Sequence, residues 1–317
     1  MLFWYKDRDT TWERGSVQVA EITPMIRRME ERDVVRAGAV IVTAFNDVFT
    51  RHGFPQPFPS AEIGIGLARG YLQLEPQECF VAVEGGQVVG SGFIHLRGDT
   101  AGIGPITVDP VCQSTGVGRA IMMAVIQAGQ QCPSLRLVQD AFNPTSFSLY
   151  SKLGFVSHGT VVGLAGQGLA PTGHARGITV RDMTAEDIAG VITLDTALTG
   201  ITRPQDLQFF LGRPPQLIAY SDGKLVGYVC LLRTGAGAFL GPAAATDPAV
   251  LRALIARALE SEQGKALRMR LPGRHAGLLC DLLKMGFHVE VLENYMVRGP
   301  WQTPQGIDLL ALFPEAL

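Results

Sequence analysis

The sequence of 317 residues predicts an α/β protein of two similar halves, each built on a mixed sheet. The length suits two domains, because single hydrophobic cores rarely grow beyond about 250–300 residues. An internal repeat supports the same division: "GPITVDP" at 104–110 returns as "GPAAATDP" at 241–248, and "KLGF" at 152–155 returns as "KMGF" at 284–287. A stretch rich in glycine, at 163–177, places the boundary between the halves near residue 170.

Each half has the same order of predicted elements. A strand and a helix of apolar period come first, followed by two strands joined at "EGG" or "SDG", a signal for a hairpin. Each half is then completed by five further elements: a third strand, a long amphipathic helix, a buried strand, a short helix and a strand after Gly-Phe. The long helices are predicted over about 117–131 and about 248–262. The predicted organisation is an extension (1–23), a domain (24–163), a linker (164–177), a second domain (178–298) and a tail (299–317).

Composition excludes several classes of function. Lysine and arginine total 27 against 29 acidic residues, so no net charge attracts the chain to nucleic acid or to an anionic membrane. Five scattered cysteines, never spaced as CxxC, indicate no disulfide framework and suit a reducing cytoplasm. The sequence shows no signal peptide, no membrane span and no HExxH spacing, so no metal site is predicted. The tail contains "IDLLALF", which is too apolar to remain exposed to solvent. We expect it to dock on a domain or on another subunit. A homodimer is therefore one possible assembly.

The most informative stretch is "QSTGVGR" at 113–119, between a predicted strand and a predicted helix. Unpaired N–H groups and the positive end of a helix dipole suit a phosphate or pyrophosphate, and glycine lets the backbone approach it closely. The dinucleotide pattern GxGxxG fails because Ile121 stands where Gly or Ala is needed, and GxxxxGK[ST] does not occur. The stretch matches QxxGxG instead.

With "NPTSFSLYSKLGF" at 143–155, the loop resembles the GCN5-related N-acetyltransferase (GNAT) family, over roughly residues 24–163. The resemblance implies a tandem GNAT protein whose domains each have a mixed, mostly antiparallel sheet flanked by helices. It implies acetyl-CoA as cofactor and direct transfer of its acetyl group to a primary amine of a small molecule or peptide. The implied cofactor contacts are Thr107, Val108, Gln113, Ser114, Thr115, Gly116, Val117, Gly118, Arg119 and Asn143.

The resemblance also implies catalytic roles. A backbone N–H near Val108 would polarise the thioester carbonyl, and Tyr150 would protonate the departing sulfur, since a phenol remains protonated at neutral pH. A half-buried tyrosine whose hydroxyl merely contacts water is the structural alternative. The general base stays open, because the fourth strand carries no carboxylate before Asp109, which reads as a turn residue. A water relay or a neutral amine would also serve, and an acyl-Cys112 enzyme is disfavoured; further candidates by position are His95, Asp99, Glu62 and Asp140.

The second half repeats the fold signals without the loop. There "DP" at 247–248 runs directly into the helix, and the segment before Gly-Phe has neither the asparagine nor the tyrosine. We therefore expect a degenerate domain that binds no CoA and that shapes the substrate cleft or dimerises. Its Gly273, Arg274 and His275 are expected to be solvated residues at a helix start.

The segment 49–60, "FTRHGFPQPFPS", lies where GNAT relatives build the acceptor site. Phe54 and Phe58 with the prolines could form a rigid apolar wall, or the segment could be a stiff surface loop. Two alternatives to an enzyme remain at this stage: a non-catalytic acyl-CoA-binding sensor, and an interaction scaffold, which the intact QxxGxG disfavours.

Overall fold

The computed structural model describes residues 24–167, 177–213, 215–234, 237–262 and 264–312. The predicted extension at 1–23 and most of the predicted linker lie outside the described residues. Among the described helices, none is long and apolar enough to cross a membrane.

Both halves contain the predicted elements in the predicted order. The long helix of the first half ends at Ala128, earlier than the predicted residue 131. The first half consists of β1 (Met25–Arg28), α1 (Val34–Arg51), α2 (Ala61–Leu74), β2 (Cys79–Glu84), β3 (Gln87–Arg97), β4 (Thr100–Val108), α3 (Val117–Ala128), β5 (Ser134–Asp140), α4 (Pro144–Lys152) and β6 (Val156–Gly166). The second half consists of β7 (Ile178–Asp182), α5 (Ile188–Thr199), α6 (Pro204–Leu211), β8 (Leu217–Ser221), β9 (Lys224–Thr234), β10 (Gly237–Ala245), α7 (Pro248–Ser261), β11 (Ala266–Pro272), α8 (Ala276–Lys284), β12 (His288–Arg298) and β13 (Ile307–Leu309).

The repeat extends to individual ion pairs at the start of each half. Arg27 donates from both terminal nitrogens to Asp33, at 2.6 and 2.8 Å, and Arg181 does the same to Asp187, at 2.8 and 2.7 Å. In both places the aspartate also accepts a backbone N–H three residues earlier in the chain. The two halves therefore fold alike from their first helical turn.

The strands of both halves join in one sheet, because the halves exchange β6 and β12. The order is β1-β2-β3-β4-β5-β12-β6-β11-β10-β9-β8-β7, with β13 paired to β10. Strand β12 of the second half lies antiparallel beside β5, and β6 of the first half lies antiparallel beside β11. The two exchanged strands also pair with each other. Each half thus completes its sheet with a strand of the other half.

Helices cover both faces of this sheet and create separate cores. In the first half, α1 and α2 pack on one face through a cluster with Ile41 and Phe93, while α3 and α4 pack on the other through a cluster with Met122 and Leu137. A further cluster joins the halves where the exchanged strands meet, and includes Val138, Val161 and Tyr295. These layers fix the position of β5 relative to β12.

The tail follows the prediction that it docks. Strand β13 pairs with β10 of the same chain, and Leu310 bridges to Arg270 on β11. In the described part of this segment, Leu309, Leu310 and Ala311 are buried within the second half.

The second half contains a buried ion pair whose loss should destabilise the fold. Arg203 donates to both oxygens of Asp195, each at 2.9 Å, and Tyr228 donates to the same carboxylate at 2.6 Å. Asp195→Asn leaves the buried guanidinium without its counter-charge, so we expect a loss of about 3–5 kcal/mol in the free energy of unfolding, measured by denaturant titration.

The exposed pair between Arg268 and Glu290 provides the control for this prediction. Glu290→Gln should cost less than about 1 kcal/mol, because water screens both groups. Equal losses for the two variants would contradict the importance assigned to the buried pair.

Candidate active site

The start of α3 presents backbone N–H groups without a side-chain cap. Gly116 precedes the helix with φ of 97°, a left-handed conformation that favours glycine, and no side chain accepts from the first turn. Ser114 is also left-handed, with φ of 67°. The loop residues Ser114, Thr115 and Gly116 are exposed, whereas Val117 is buried. The positive end of α3 is therefore open to an anion from solvent.

Two side chains of the loop have partners of their own. Thr115 Oγ1 donates to the carbonyl of Cys112 at 2.7 Å and closes the loop on itself. Gln113 Oε1 accepts from Arg51 Nη2 at 3.2 Å, which connects the loop to the end of α1. These contacts hold the loop while leaving its backbone N–H groups available.

The equivalent helix of the second half is already capped by an anion. Asp247 Oδ1 accepts from the N–H groups of Ala249 and Val250, at 2.8 and 3.2 Å. Its carboxylate occupies the place where a phosphate would bind to α3.

Strands β4 and β5 separate at the site. They pair in parallel only from Thr100 to Gly102, so the rest of β4 has β3 on one side and a gap on the other. Asp109 N–H donates to Val89 O at 2.8 Å, and alternation along the strand directs the main-chain groups of Val108 into the gap.

Thr107 differs from its predicted role. The same alternation directs its main-chain groups toward β3, and its hydroxyl is bonded to Ser91 Oγ at 2.8 Å. The main chain facing the gap therefore belongs to Val108 and Ile106.

Strand β13 fills the corresponding gap in the second half. Ala243 pairs with Leu309 and Ala245 with Ile307, at the positions that match Ile106 and Val108 in the repeat. The chain's own backbone thus satisfies the groups that a pantetheine arm would contact.

Arg274 and His275 hold this strand, and of the two only Arg274 is exposed as expected. Both bond to the carboxylate of Asp308 on β13, His275 Nε2 at 2.7 Å. His275 is nearly inaccessible, with 7% of its side chain exposed.

Tyr150, on α4, and Asn143, which immediately precedes α4, lie on the far side of the gap. Asn143 caps the helix by accepting Ser146 N–H at 3.2 Å. Tyr150 is buried in the cluster beneath β5, and its hydroxyl has no hydrogen-bond partner among the residues that the structure describes. Burial raises the pKa of Tyr150, and the nearby carboxylate of Asp140 raises it further. The phenol therefore retains its proton at any physiological pH.

Most of the residues considered as general base are placed where they are not suited to accept a proton from a substrate in the gap. Asp109 is a turn residue as expected: it accepts from Arg36 Nη2 at 2.6 Å and caps Val111. Glu62 is on an exposed first turn of α2, and Asp99 is in the β3–β4 turn. Burial raises the pKa of the Cys112 thiol, which opposes a thiolate nucleophile.

His95 is buried at the opposite end of the sheet from the gap. It bonds to Glu75, which also accepts from Arg97 Nη1 at 2.7 Å, and Arg97 in turn bonds Asp206 of the second half. His95, Glu75 and Glu78 each place a ligand atom within 4.8 Å of the others, so the group could hold a metal ion. The sequence did not predict this cluster, and its place separates it from the gap.

Asp140 is the candidate carboxylate that the fold brings to the gap. It is the last residue of β5, and burial together with the charge of Glu293 raises its pKa to about 7, while Arg270 opposes the shift. Sequence reasoning did not identify Glu293, which reaches this place only because β12 is exchanged.

The segment 49–60 forms an aromatic wall next to the gap. Phe54 stacks on Phe142, with 4.5 Å between ring centroids, and Phe49 meets the same ring edge-on at 5.0 Å. Phe58 is fixed by two hydrogen bonds between its backbone and the Asn46 side chain. The wall therefore reaches from the end of α1 to the residues that follow Asp140.

Comparison with known proteins agrees with the two halves seen here. A GNAT acetyltransferase family model matches residues 43–155, and a model of a GNAT acetyltransferase domain matches residues 191–310. The chain is 27% identical over 237 residues to YitH, an uncharacterized N-acetyltransferase of Bacillus subtilis (strain 168), which covers 73% of this chain and 82% of YitH.

Two solved structures share the fold across both halves. A Pyrococcus horikoshii protein has a TM-score of 0.72 at 18% identity, covering 97% of this chain and 99% of its own. A tandem GNAT protein from the clavulanic acid biosynthesis pathway has a TM-score of 0.59 at 15% identity, covering 88% and 100%. The chain belongs to the GNAT acetyltransferase family, carries two GNAT domains in tandem as the sequence predicted, and is an acyltransferase by class.

A glutamate at the second position of α3 should block an anion there. Gly118 has ordinary contacts at the site of an added Cβ, the nearest being Val108 Cγ2 at 3.5 Å, so the fold accepts a side chain. In Gly118→Glu the carboxylate competes for the open helix end, and we expect the Kd for acetyl-CoA, measured by calorimetry, to rise about 10-fold or more.

Ala249→Glu is the matched control, since Ala249 holds the second position of α7. That helix start is closed by Asp247, so acetyl-CoA affinity should not change. Equal affinity in the Gly118→Glu variant and the wild-type protein would contradict the role of α3.

Proposed function

We propose that the first half is an acetyl-CoA-dependent N-acetyltransferase that passes the acetyl group directly to a primary amine of a small molecule or peptide. The observation that carries the proposal is a contrast between equivalent places in the two halves. The first half has an open helix start and an open gap beside β4, whereas Asp247 and β13 close both places in the second half. The second half therefore binds no CoA in this proposal.

The residues around the gap fit acetyl-CoA. Backbone N–H groups of the loop and of the first turn of α3, from Ser114 to Arg119, bind the pyrophosphate. The main chain of Val108 bonds the pantetheine arm, and its edge of β4 donates to the carbonyl oxygen. The Asn143 amide, whose oxygen caps α4, lies across the gap. When bound, acetyl-CoA supplies a thioester that the amine attacks and a thiol as leaving group.

Tyr150 acts as the acid in this proposal. Its hydroxyl keeps its proton and has no competing partner among the described residues, so it can donate to the departing sulfur. This arrangement favours a catalyst over a sensor that only binds acyl-CoA.

The aromatic wall faces the acceptor in this proposal. Phe54 and Phe142 offer stacked, half-buried rings at the end of β5, where an amine would approach the thioester. Such a surface binds the apolar part of the acceptor and leaves its nitrogen toward the gap.

The experiment is a calorimetric titration of the whole protein with acetyl-CoA, followed by an assay of thiol release with primary amines. We expect one binding site per chain and release of thiol with at least one acceptor. Two equal sites would contradict the closed state of the second half, and absence of binding would overturn the function itself.

Tyr150→Phe tests the acid. The phenyl ring keeps the packing of the buried cluster and removes only the proton donor, so acetyl-CoA affinity should not change while kcat falls by about 100-fold or more. Steady-state kinetics with calorimetry as the control separate the two effects. Full turnover in the variant would exclude the proposed role.

A further inference from the structure

The exchange of strands places a carboxylate of the second half beside Asp140. Residue Glu293 on β12 lies directly opposite Asp140 in the antiparallel register. Directly opposed residues project from the same face of the sheet, with their Cβ atoms about 5 Å apart. On that face, Val138 and Tyr295, the next pair along, belong to one buried cluster. Asp140 and Glu293 thus form a carboxyl pair built from both halves.

Only one member of the pair has a counter-charge at bonding distance. Arg270 on β11 bonds both oxygens of Glu293, at 2.9 Å each, and Glu293 has 4% of its side chain exposed. Asp140 faces the charge of Glu293 without a bonded cation in the described part of the chain. The groups whose charges act on it are Glu293 on β12 and Arg270 on β11, and the uncharged phenol of Tyr150 on α4 lies close enough for the charge of Asp140 to act on it.

The pair occurs in the open half alone. At the equivalent position of the second half, where β6 pairs with β11, the register places Val161 opposite Pro272. Because an apolar pair occupies this position in the second half, formation of the sheet does not require two acids there. The two acids therefore occur in the same half as the open start of α3 and the open gap beside β4.

Asp140 also lies between the other parts of the site. Phe142, two residues later, carries the aromatic wall, and the charge of Asp140 acts on the Tyr150 phenol. His52 at the end of α1 packs on the same Phe142 ring. A group bound against the wall would reach Asp140 at the mouth of the gap.

We propose that Asp140 is the general base that takes the proton of a cationic primary amine, and that Glu293, supplied by the second half, is the residue that positions and tunes it. The proposal rests on the proposed function. The second half, without a cofactor site of its own, thereby contributes to the chemistry of the first.

The proton balance is complete with groups of this chain. One proton of the ammonium passes to the Asp140 carboxylate and from there to water, and the free amine then attacks the thioester carbonyl carbon. The carbon–nitrogen bond forms, the carbon–sulfur bond breaks, and Tyr150 donates its proton to the sulfur. The nitrogen loses its second proton, which restores the Tyr150 hydroxyl. The raised pKa of Asp140, about 7, matches a base that works near neutral pH.

The experiment compares the wild-type protein with Asp140→Asn, Glu293→Gln and the control Glu290→Gln, an exposed acid of the same strand. The acceptors are tryptamine, phenethylamine, spermidine and a tripeptide with a free amino terminus. Measurements are acetyl-CoA affinity by calorimetry, and kcat and kcat/KM from about pH 5.5 to about 9.5. Carbon NMR of labelled aspartate carboxyls, assigned with the Asp140→Asn variant, gives the pKa of Asp140 without any acceptor.

We expect Asp140→Asn to bind acetyl-CoA normally, to lower kcat by about 100-fold or more and to remove the rise of kcat/KM near neutral pH. Glu293→Gln removes the neighbouring negative charge, so both the kinetic rise and the pKa of Asp140 should move to lower pH. Glu290→Gln should change neither. A merely structural role of Glu293 would not move the pH profile.

The results that would contradict this inference differ from those that would contradict the proposed function. Active Asp140→Asn protein, or a wild-type Asp140 pKa near the ordinary aspartate value, would overturn this inference while leaving the acetyltransferase intact. A protein that binds no acetyl-CoA, or that releases thiol with none of the four acceptors, would instead overturn the proposed function.

Discussion

The pairing of β6 with β12 is the interaction on which the rest of the molecule depends. Through it the two halves share one sheet, and each half completes its own sheet with a strand of the other. Because backbone hydrogen bonds of a ladder must be satisfied, neither half can move away without exposing the edges of β5 and β11. The arrangement therefore fixes Glu293 opposite Asp140 as firmly as any contact within one half.

The difference between the halves arises from a few local substitutions in one architecture. A loop with Gly116 leaves α3 uncapped, whereas Asp247 neutralises the start of α7. An open gap lies beside β4, whereas β13 pairs with β10. In the second half, groups of the chain stand where the proposed function places a ligand in the first half: a carboxylate at the position of the phosphate, and a strand at the position of the extended arm.

Much of this arrangement could be predicted from the sequence because its causes are local. The repeated motifs predict two similar folds, QxxGxG predicts an anion site at the start of α3, and "DP" running directly into α7 predicts a helix start without that loop. The tail segment "IDLLALF" predicts docking, but its partner depends on the fold. The orientation of Thr107 could not be predicted, since the hydrogen bond from Asp109 to Val89 and the irregular pairing between Gly92 and Ile94 determine which main-chain groups face the gap. Strand exchange was not predicted, because the repeated motifs show that the halves are similar and do not show which half β6 and β12 pair with.

The exchanged strands also constrain how such a chain can change over evolutionary time. A second domain that only packed against the first, without sharing a sheet, could be deleted if it bound no ligand. Here the second half supplies β12 to the sheet of the first half. Deletion of the second half would therefore remove the strand beside β5 together with Glu293. The second half can do without a ligand of its own in the proposed function, but it must keep β12, because that strand completes the sheet of the first half.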